Sequence, residues 1–416
     1  MLELNEKEKK AKMIIQRKID SEAMKYKSNI WKSYLFHLMV GAHIISGIIT
    51  IFFMTWGKLS FIEIMYLQSY FWVMILVFEI PCGAISDYIS RKFSLFLGGI
   101  SLTIAALVYS SIPNIVIFVL GETLFAFGEA LISGTNTAIM YDNLKLLGRE
   151  DKIAKFSARN VSFYVAGMGI SAPLGSMLTL VIPIELIMAS MLIPFFIGAI
   201  IALTMKEPNH QFKNQSARTN SYIVIIKSGI KELKKKKSLR TLAFDQVLAE
   251  GLIFIVFWTY QPYLEGFGVL VAFLGFVTTL LTFMQVVFMN LVPKLYDHVG
   301  NRKKLLLIFT LIPGISFILL SILQISFMMI ILFMMIVGFG ISRSLIHTKS
   351  INTLIETENR ATVLSTINMI STLIKAILFP LAGFLVESSL NLAFIVLGLI
   401  MILIAIFSRV KNQDLI

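Results

Sequence analysis

Residues 78–99 read FEIPCGAISDYISRKFSLFLGG. Pro81, Gly83 and four charged side chains (Glu79, Asp87, Arg91 and Lys92) sit between two strongly apolar stretches. A turn this short and this polar, beside long apolar runs, reads as a connection at the edge of a bilayer. The bulk composition agrees. Of 416 residues, 57% are hydrophobic and 15% charged, and the mean hydropathy is +0.82. Soluble chains carry about 25% charged residues, and a soluble protein of this length has no place to hide so much apolar surface. The apolar runs are continuous rather than alternating, which selects membrane-spanning helices over a barrel.

Working outward from that turn, twelve spans are expected, at about 33–56, 61–82, 93–112, 115–138, 160–181, 184–205, 241–263, 268–292, 304–323, 325–346, 362–386 and 390–409. The connections after spans 1, 3, 5, 7, 9 and 11 are very short, and Lys58 is the one base in them. Those after the even-numbered spans hold Arg91, Lys92, Lys145, Arg149, Lys152, Lys294, Arg302, Lys303 and more. Basic residues concentrate on the cytoplasmic side, so both termini are expected in the cytoplasm of a multi-pass protein of the cell membrane. The net charge of +13 is read in the same way, as a membrane-topology signal rather than a nucleic-acid footprint. Residues 1–32 are polar and lysine-rich, without the apolar core of a cleaved signal peptide.

The connection 206–240 divides the chain into six spans, 33–205, and six more, 241–409, with a short tail at 410–416. Within it Tyr222, Ile223, Ile226, Ile230 and Leu233 fall on one helical face with lysines around the rest, the pattern of an amphipathic helix lying on the inner leaflet. The run Lys234–Lys237 reads either as general attraction to an anionic surface or as a specific lipid contact. The two halves echo each other. The turn after span 2 reads GAISDYISRK, and that after span 8 reads PKLYDHVGNRK, with Asp297, Gly300, Arg302 and Lys303. The same acidic–basic turn at the same place suggests a duplicated unit.

The turn resembles the signature loop between the second and third helices of the major facilitator superfamily. That pattern is a glycine, an acid four later, a glycine three beyond it, then two bases. Gly83, Asp87, Arg91 and Lys92 match, and Ser90 stands in place of the second glycine. The stretches FEIPCGAISD, ALISGTNTAIMYDNL, FWTYQPYL and NRATVLSTINM are similar to a bacterial and archaeal branch of multidrug or uncharacterised transporters. The resemblance implies an all-α membrane protein of two pseudo-symmetric six-helix bundles, acting as a monomer by alternating access. It also implies that Gly83, Asp87, Arg91 and Lys92 join Asp142, at the end of span 4, in a latch on the inner gate. Asp87 and Arg91 are four apart and would pair on a continuous helix. The plainer reading of these charges is that they set topology at the membrane edge.

Ionisable groups inside spans are costly and face a cavity or a partner. Span 4 carries Glu122 and Glu129, seven apart and so on one face. Span 7 carries Asp245 and Glu250, span 10 Arg343 and His347, and span 11 Lys375. The resemblance implies that spans 1, 4, 7 and 10 line a central cavity, which would place Glu129, Glu250, Glu122, Asp245 and Arg343 on the path of substrate or protons. His37 and His43 of span 1 are the histidines in that position, and Trp258, Tyr260 and Tyr263 are candidate stacking groups. Glu250 and Lys375 admit a second reading, as a fixed structural pair. In span 5, Gly167, Gly169, Pro173 and Gly175 resemble an antiporter signature, with Ala172 where a glycine precedes the proline.

The expected function is secondary active transport, proton-coupled export of amphipathic or drug-like small molecules, with import or exchange of one polar solute as the alternative. No Walker loop, no catalytic constellation and no cofactor motif is found, and the single cysteine, Cys82, excludes an internal disulfide and a multi-cysteine metal site.

Overall fold

The computed structural model describes residues 26–207, 222–355 and 360–415, with all of their side chains except those of Ile80, Asp87, 222–226, Asp297 and Ala361. The N-terminal tail up to residue 25, the loop 208–221 and the side chains of the apolar stripe at Tyr222, Ile223 and Ile226 therefore lie outside what the structure describes. The described chain is helical, with no strand. Among the described residues, eleven helices are long and apolar enough to cross a membrane.

Local chemistry fixes where several of them begin. Ser60 and Glu63 form a reciprocal capping box at the start of span 2, Phe61–Tyr88. The Ser90 side chain accepts from the Phe93 amide and opens span 3, Arg91–Ser111. Asn114 opens span 4, Ile115–Leu146, and Asn301 opens span 9, Arg302–Ile322. Ser389 opens span 12, Leu390–Phe407. Each of these caps satisfies an amide that the first helical turn leaves without a partner. The remaining spans are Ile153–Leu178 (5), Ile184–Thr204 (6), Lys237–Gly266 (7, interrupted at Ile255), Val271–His298 (8), Ser326–Leu354 (10) and Arg360–Ser388 (11). A further helix, Tyr222–Lys235, packs on span 11, where Gly229 meets Thr366.

Two expectations are corrected. Several helices run past the membrane on the side of the central connection: span 4, with 32 residues, is about 48 Å long against a hydrocarbon core of about 30 Å. Span 2 continues through Gly83 to Tyr88, and Ser90 then starts a new helix in extended backbone. Asp87 and Arg91 therefore do not share a helix, and the spacing that suggested their pairing does not apply.

Span 1, expected as one helix over 33–56, is broken. It is helical over 26–40, forms a 3₁₀ turn at Ile44–Gly47 and resumes at Ile49–Thr55. Even so it crosses the full thickness. Asn29 donates to Asn143 and to the Lys206 carbonyl at one end, and Phe53 packs on Tyr109 and Phe118 at the other. It is the twelfth span, so the first and last described residues lie on one face, here named the termini face. No proline causes the break. Local turns, such as His43 N–H to the Gly41 carbonyl, satisfy the freed backbone. Irregular backbone is tolerated at membrane depth where it borders a cavity rather than lipid.

The broken segment is wedged at the seam between the halves. A Cβ on Gly175 of span 5 would stand 1.8 Å from the Ile44 carbonyl oxygen, and one on Gly47 would stand 2.6 Å from the Gly275 Cα of span 8. The glycines of span 5 thus bring it against span 1, and span 8 approaches through its own Gly275. Gly175→Ala is expected to force a backbone shift and to destabilise the protein by about 1–3 kcal/mol, read as a lowered thermal midpoint in detergent. Gly169→Ala, where nothing lies within 4 Å of the added carbon, is expected to leave the midpoint unchanged.

Candidate functional site: a cavity between the halves

Two pairs of spans hold the halves together. Spans 5 and 8 meet through Ser176 Oγ donating to the Ala272 carbonyl at 2.8 Å and Thr279 Oγ1 donating to the Gly169 carbonyl at 2.8 Å. Spans 2 and 11 meet through Ser69 Oγ on the Ala376 carbonyl and Ile62 N–H on Glu387 at 3.2 Å. Spans 1 and 7 add a third contact: Gln261 accepts from the Thr50 amide at 2.8 Å and donates to the Ser46 carbonyl at 3.0 Å. Gln261 is fully buried. Among the described residues, every hydrogen bond that joins the halves lies between mid-membrane and the face opposite the termini. The protein is pinned shut at that far end.

Below this closure lies a cavity of about 560 Å³ between the halves. Its wall is apolar and aromatic: Phe71, Trp72 and Phe125 from one half, Phe254, Phe257 and Trp258 from the other, with Met168, Met188 and Met191. Polar groups punctuate it. His43 and Ser46 come from the broken segment of span 1, Gln68 from span 2, and Thr278, Thr282 and Gln285 from span 8. Two carboxylates reach it, Glu122 and Glu129. They differ in one decisive respect. Glu122 accepts from Gln68 Nε2 at 2.8 Å and also has the Tyr109 hydroxyl beside it. Glu129 has a buried Oε1 with no hydrogen-bond partner, and no other carboxylate among the described residues is left in that condition. Tyr164 and His43, 3.4 Å apart, share its part of the wall.

The other ionisable groups expected on the cavity are placed elsewhere. Asp245 and Arg343 are buried inside the second half and do not line the cavity. The Arg343 Nη2 holds both Asp245 oxygens, its Nη1 donates to the Asp245 carbonyl at 3.0 Å, and its Nε donates to Thr310 Oγ1 at 2.7 Å. His347 Nε2 lies 3.2 Å from the same carboxylate. Helical phase explains the correction. Ile341 lines the cavity, and Arg343, two residues on, points about 200° away. Asp245 is nine residues from the cavity-lining Phe254 and lies half a turn round the helix. Tyr263 likewise packs within its own half, against Phe394, while Trp258 and Tyr260 reach the cavity.

Glu250 and Lys375 form an ion pair, Nζ to Oε1 2.7 Å, with Ser371 at 3.3 Å. The Lys375 ammonium also lies 4.6 Å from the Trp72 ring centre and 4.1 Å from that of Phe254. It therefore makes a cation–π contact with the opposite half. Lys375 is buried, whereas 23% of the Glu250 side chain is exposed. Removing the acid strands the more buried partner. Glu250→Gln is expected to cost up to about 3 kcal/mol and Lys375→Met less, with the double variant recovering most of the loss. Thermal midpoints of the four proteins check this.

A family model described as the Major Facilitator Superfamily matches residues 33–348 and 246–413, and so nearly the whole chain. The chain belongs to the Major Facilitator Superfamily. Among solved structures it is similar to the nucleoside transporter NupG (TM-score 0.76, 15% identity, 92% of this chain and 97% of that one). It is also similar to a D-xylose-proton symporter (0.73, 14%, 92% and 97%). A bacterial homolog of the human lysosomal transporter Spinster, in an inward-facing and occupied conformation, matches with TM-score 0.74 at 13% identity over 94% and 98%. At these identities the likeness is one of fold. No curated protein matches. The protein is accordingly a multi-pass membrane transporter of this superfamily.

The superfamily's loop motif can now be placed. Arg91 pairs with Asp142 and donates to the Ala138 carbonyl at 2.7 Å, all within the first half. The Asp87 side chain lies outside the described residues, and Gly83 has nothing within 4 Å of a notional Cβ. A residue that sequence reasoning missed organises the turn. Glu207, just past span 6, accepts from Ser90 Oγ at 2.8 Å and from the Arg91 and Lys92 amides at 2.9 Å each. A carboxylate at a helix N-terminus is favoured by the peptide dipoles. The second half repeats the device with Asn412, beyond span 12, accepting from the Lys303 amide at 3.2 Å, and Arg302 donating to the Leu415 carbonyl at 2.6 Å. Each signature turn is held by the chain that follows its own half's last span, and no local sequence rule announces it.

Proposed function

We propose that this transporter exports amphipathic, cationic or drug-like small molecules in exchange for protons, with Glu129 as the coupling carboxylate. The observation that carries this reading is the buried Glu129 oxygen without a partner on a largely apolar and aromatic wall. An ionised carboxylate cannot stay unpaired in such surroundings at low cost. It takes either a proton or the cationic group of a substrate, and competition between the two is the elementary step of exchange. Aromatic faces and methionines suit ligands of varied shape. Glu122, already bonded to Gln68, acts as a supporting polar group, and Glu250 is held by Lys375. A second reading, carriage of one polar solute, draws support from Thr278, Thr282 and Gln285 on the span 8 wall.

Glu129→Gln is expected to abolish uphill transport driven by a proton gradient and to leave energy-independent substrate exchange largely intact, since glutamine has the shape of the protonated acid. Proteoliposomes containing a pH dye, screened with a panel of cationic and polar solutes, measure both. Normal uphill transport by Glu129→Gln would remove that residue from the mechanism.

In this reading the termini face is cytoplasmic, because the bases gather there, and the conformation is inward-facing. Gly83, Asp87, Arg91, Lys92 and Asp142 then form half of the inner latch. The Arg91–Asp142 pair is internal to one half, so the state-dependent partner comes from across the gate. A cysteine at Asn114 is expected to react with an impermeant reagent in intact cells, and one at Asn214 only after lysis; the reverse pattern overturns the orientation.

A further inference from the structure

A second hollow lies away from the central cavity, on the outer flank of the second half between spans 7 and 12. Its volume is about 500 Å³. Span 7 contributes Phe244 and Leu248, and span 12 contributes Ile400 and Leu403. All four side chains are exposed and lie on stripes spaced by three or four residues, so the hollow is a groove running along the two helices. At its termini-face end stand three cations. Lys237 is the first residue of span 7, Arg240 is one turn later, and Arg409 is just beyond the end of span 12. All three are exposed.

The nearby acids do not cancel them. The Asp245 carboxylate at the floor is taken up by Arg343, His347 and the Ser408 hydroxyl. Asp414 is buried and turned to Ser238 and the Lys411 amide. An apolar groove at acyl-chain depth, with three cations at headgroup level, is complementary to one kind of molecule in the surrounding bilayer. We propose that this groove is a binding site for an anionic glycerophospholipid, its phosphate among Lys237, Arg240 and Arg409 and an acyl chain along the walls of Phe244, Leu248, Ile400 and Leu403. The lipid bridges the first helix of the second half to the last.

The test uses the full-length protein in neutral detergent, titrated with phosphatidylglycerol, with phosphatidylcholine of the same chains, or with inorganic phosphate, and counts bound lipid by native mass spectrometry. Phosphatidylglycerol is expected to be retained in preference to phosphatidylcholine, and millimolar phosphate is expected not to displace it. Arg240→Gln combined with Arg409→Gln should weaken phosphatidylglycerol binding roughly tenfold or more and leave phosphatidylcholine unchanged. Lys303→Gln with Lys304→Gln removes the same charge elsewhere on the face and should have no effect. Leu403→Trp, which fills the groove and keeps the charges, should weaken both lipids. The proposal is overturned by equal binding of the two lipids, by displacement with phosphate alone, by equal losses in the two charge-removal pairs, or by full retention in Leu403→Trp.

Discussion

Water is absent from the hydrocarbon core, so a polar group placed there must find its partner inside the protein. Most of this structure can be read as the answer to that demand. The second half meets it completely at its charges: Asp245 with Arg343 and His347, Glu250 with Lys375. The first half meets it at Glu122, through Gln68, and leaves it unmet at Glu129. The two halves share an architecture but not an electrostatic task. One is a braced body, whose buried ions fix span against span. The other leaves a buried carboxylate oxygen, Glu129 Oε1, without a hydrogen-bond partner.

The same demand accounts for the course of span 1. A helix broken at mid-membrane is acceptable only where its backbone meets protein or a cavity, and both conditions hold here. Gly175 and Gly275 let spans 5 and 8 close on the break from one side, while His43, Ile45 and Ser46 turn to the cavity on the other. Gln261 then reads the broken backbone directly, bonding the Thr50 amide and the Ser46 carbonyl. An unbroken helix would have no free amide or carbonyl to offer at that point. The irregularity is therefore what allows Gln261 to fasten span 7 to the backbone of span 1.

Much of this was legible in the sequence, because membrane length and charge asymmetry act locally. The membrane-spanning helices follow from the apolar runs, and the family follows from the resemblance of the turn at Gly83–Lys92. What failed to read through was phase and tertiary partnership. Arg343 and Ile341 are two residues apart, and only the packing of span 10 decides which of them faces the cavity. The span 1 break has no proline to announce it. Glu207 stands 115 positions from Lys92, and no local rule connects them. From the sequence Glu250 and Lys375 admit two readings, and only the fold brings their side chains to 2.7 Å.

The position of the Arg91–Asp142 pair constrains how the gate can work. The pair is formed while the halves are joined only toward the far face, and it lies within the first half together with its Ala138 and Glu207 contacts. Rocking one half against the other leaves its length unchanged, so its own energy cannot distinguish the two states. What changes is the surface it presents. Arg91 is held toward span 4, and Glu207 clamps the turn at the start of span 3. In the proposed alternating-access reading, closure of the termini face would come from groups on the second half approaching this edge, offset by rupture of the Gln261 and Glu387 bonds at the opposite end. In the proposed reading, two small sets of polar contacts, one at each end and never both made, would give two states of similar free energy, the condition under which a proton or a substrate at Glu129 would tip the balance.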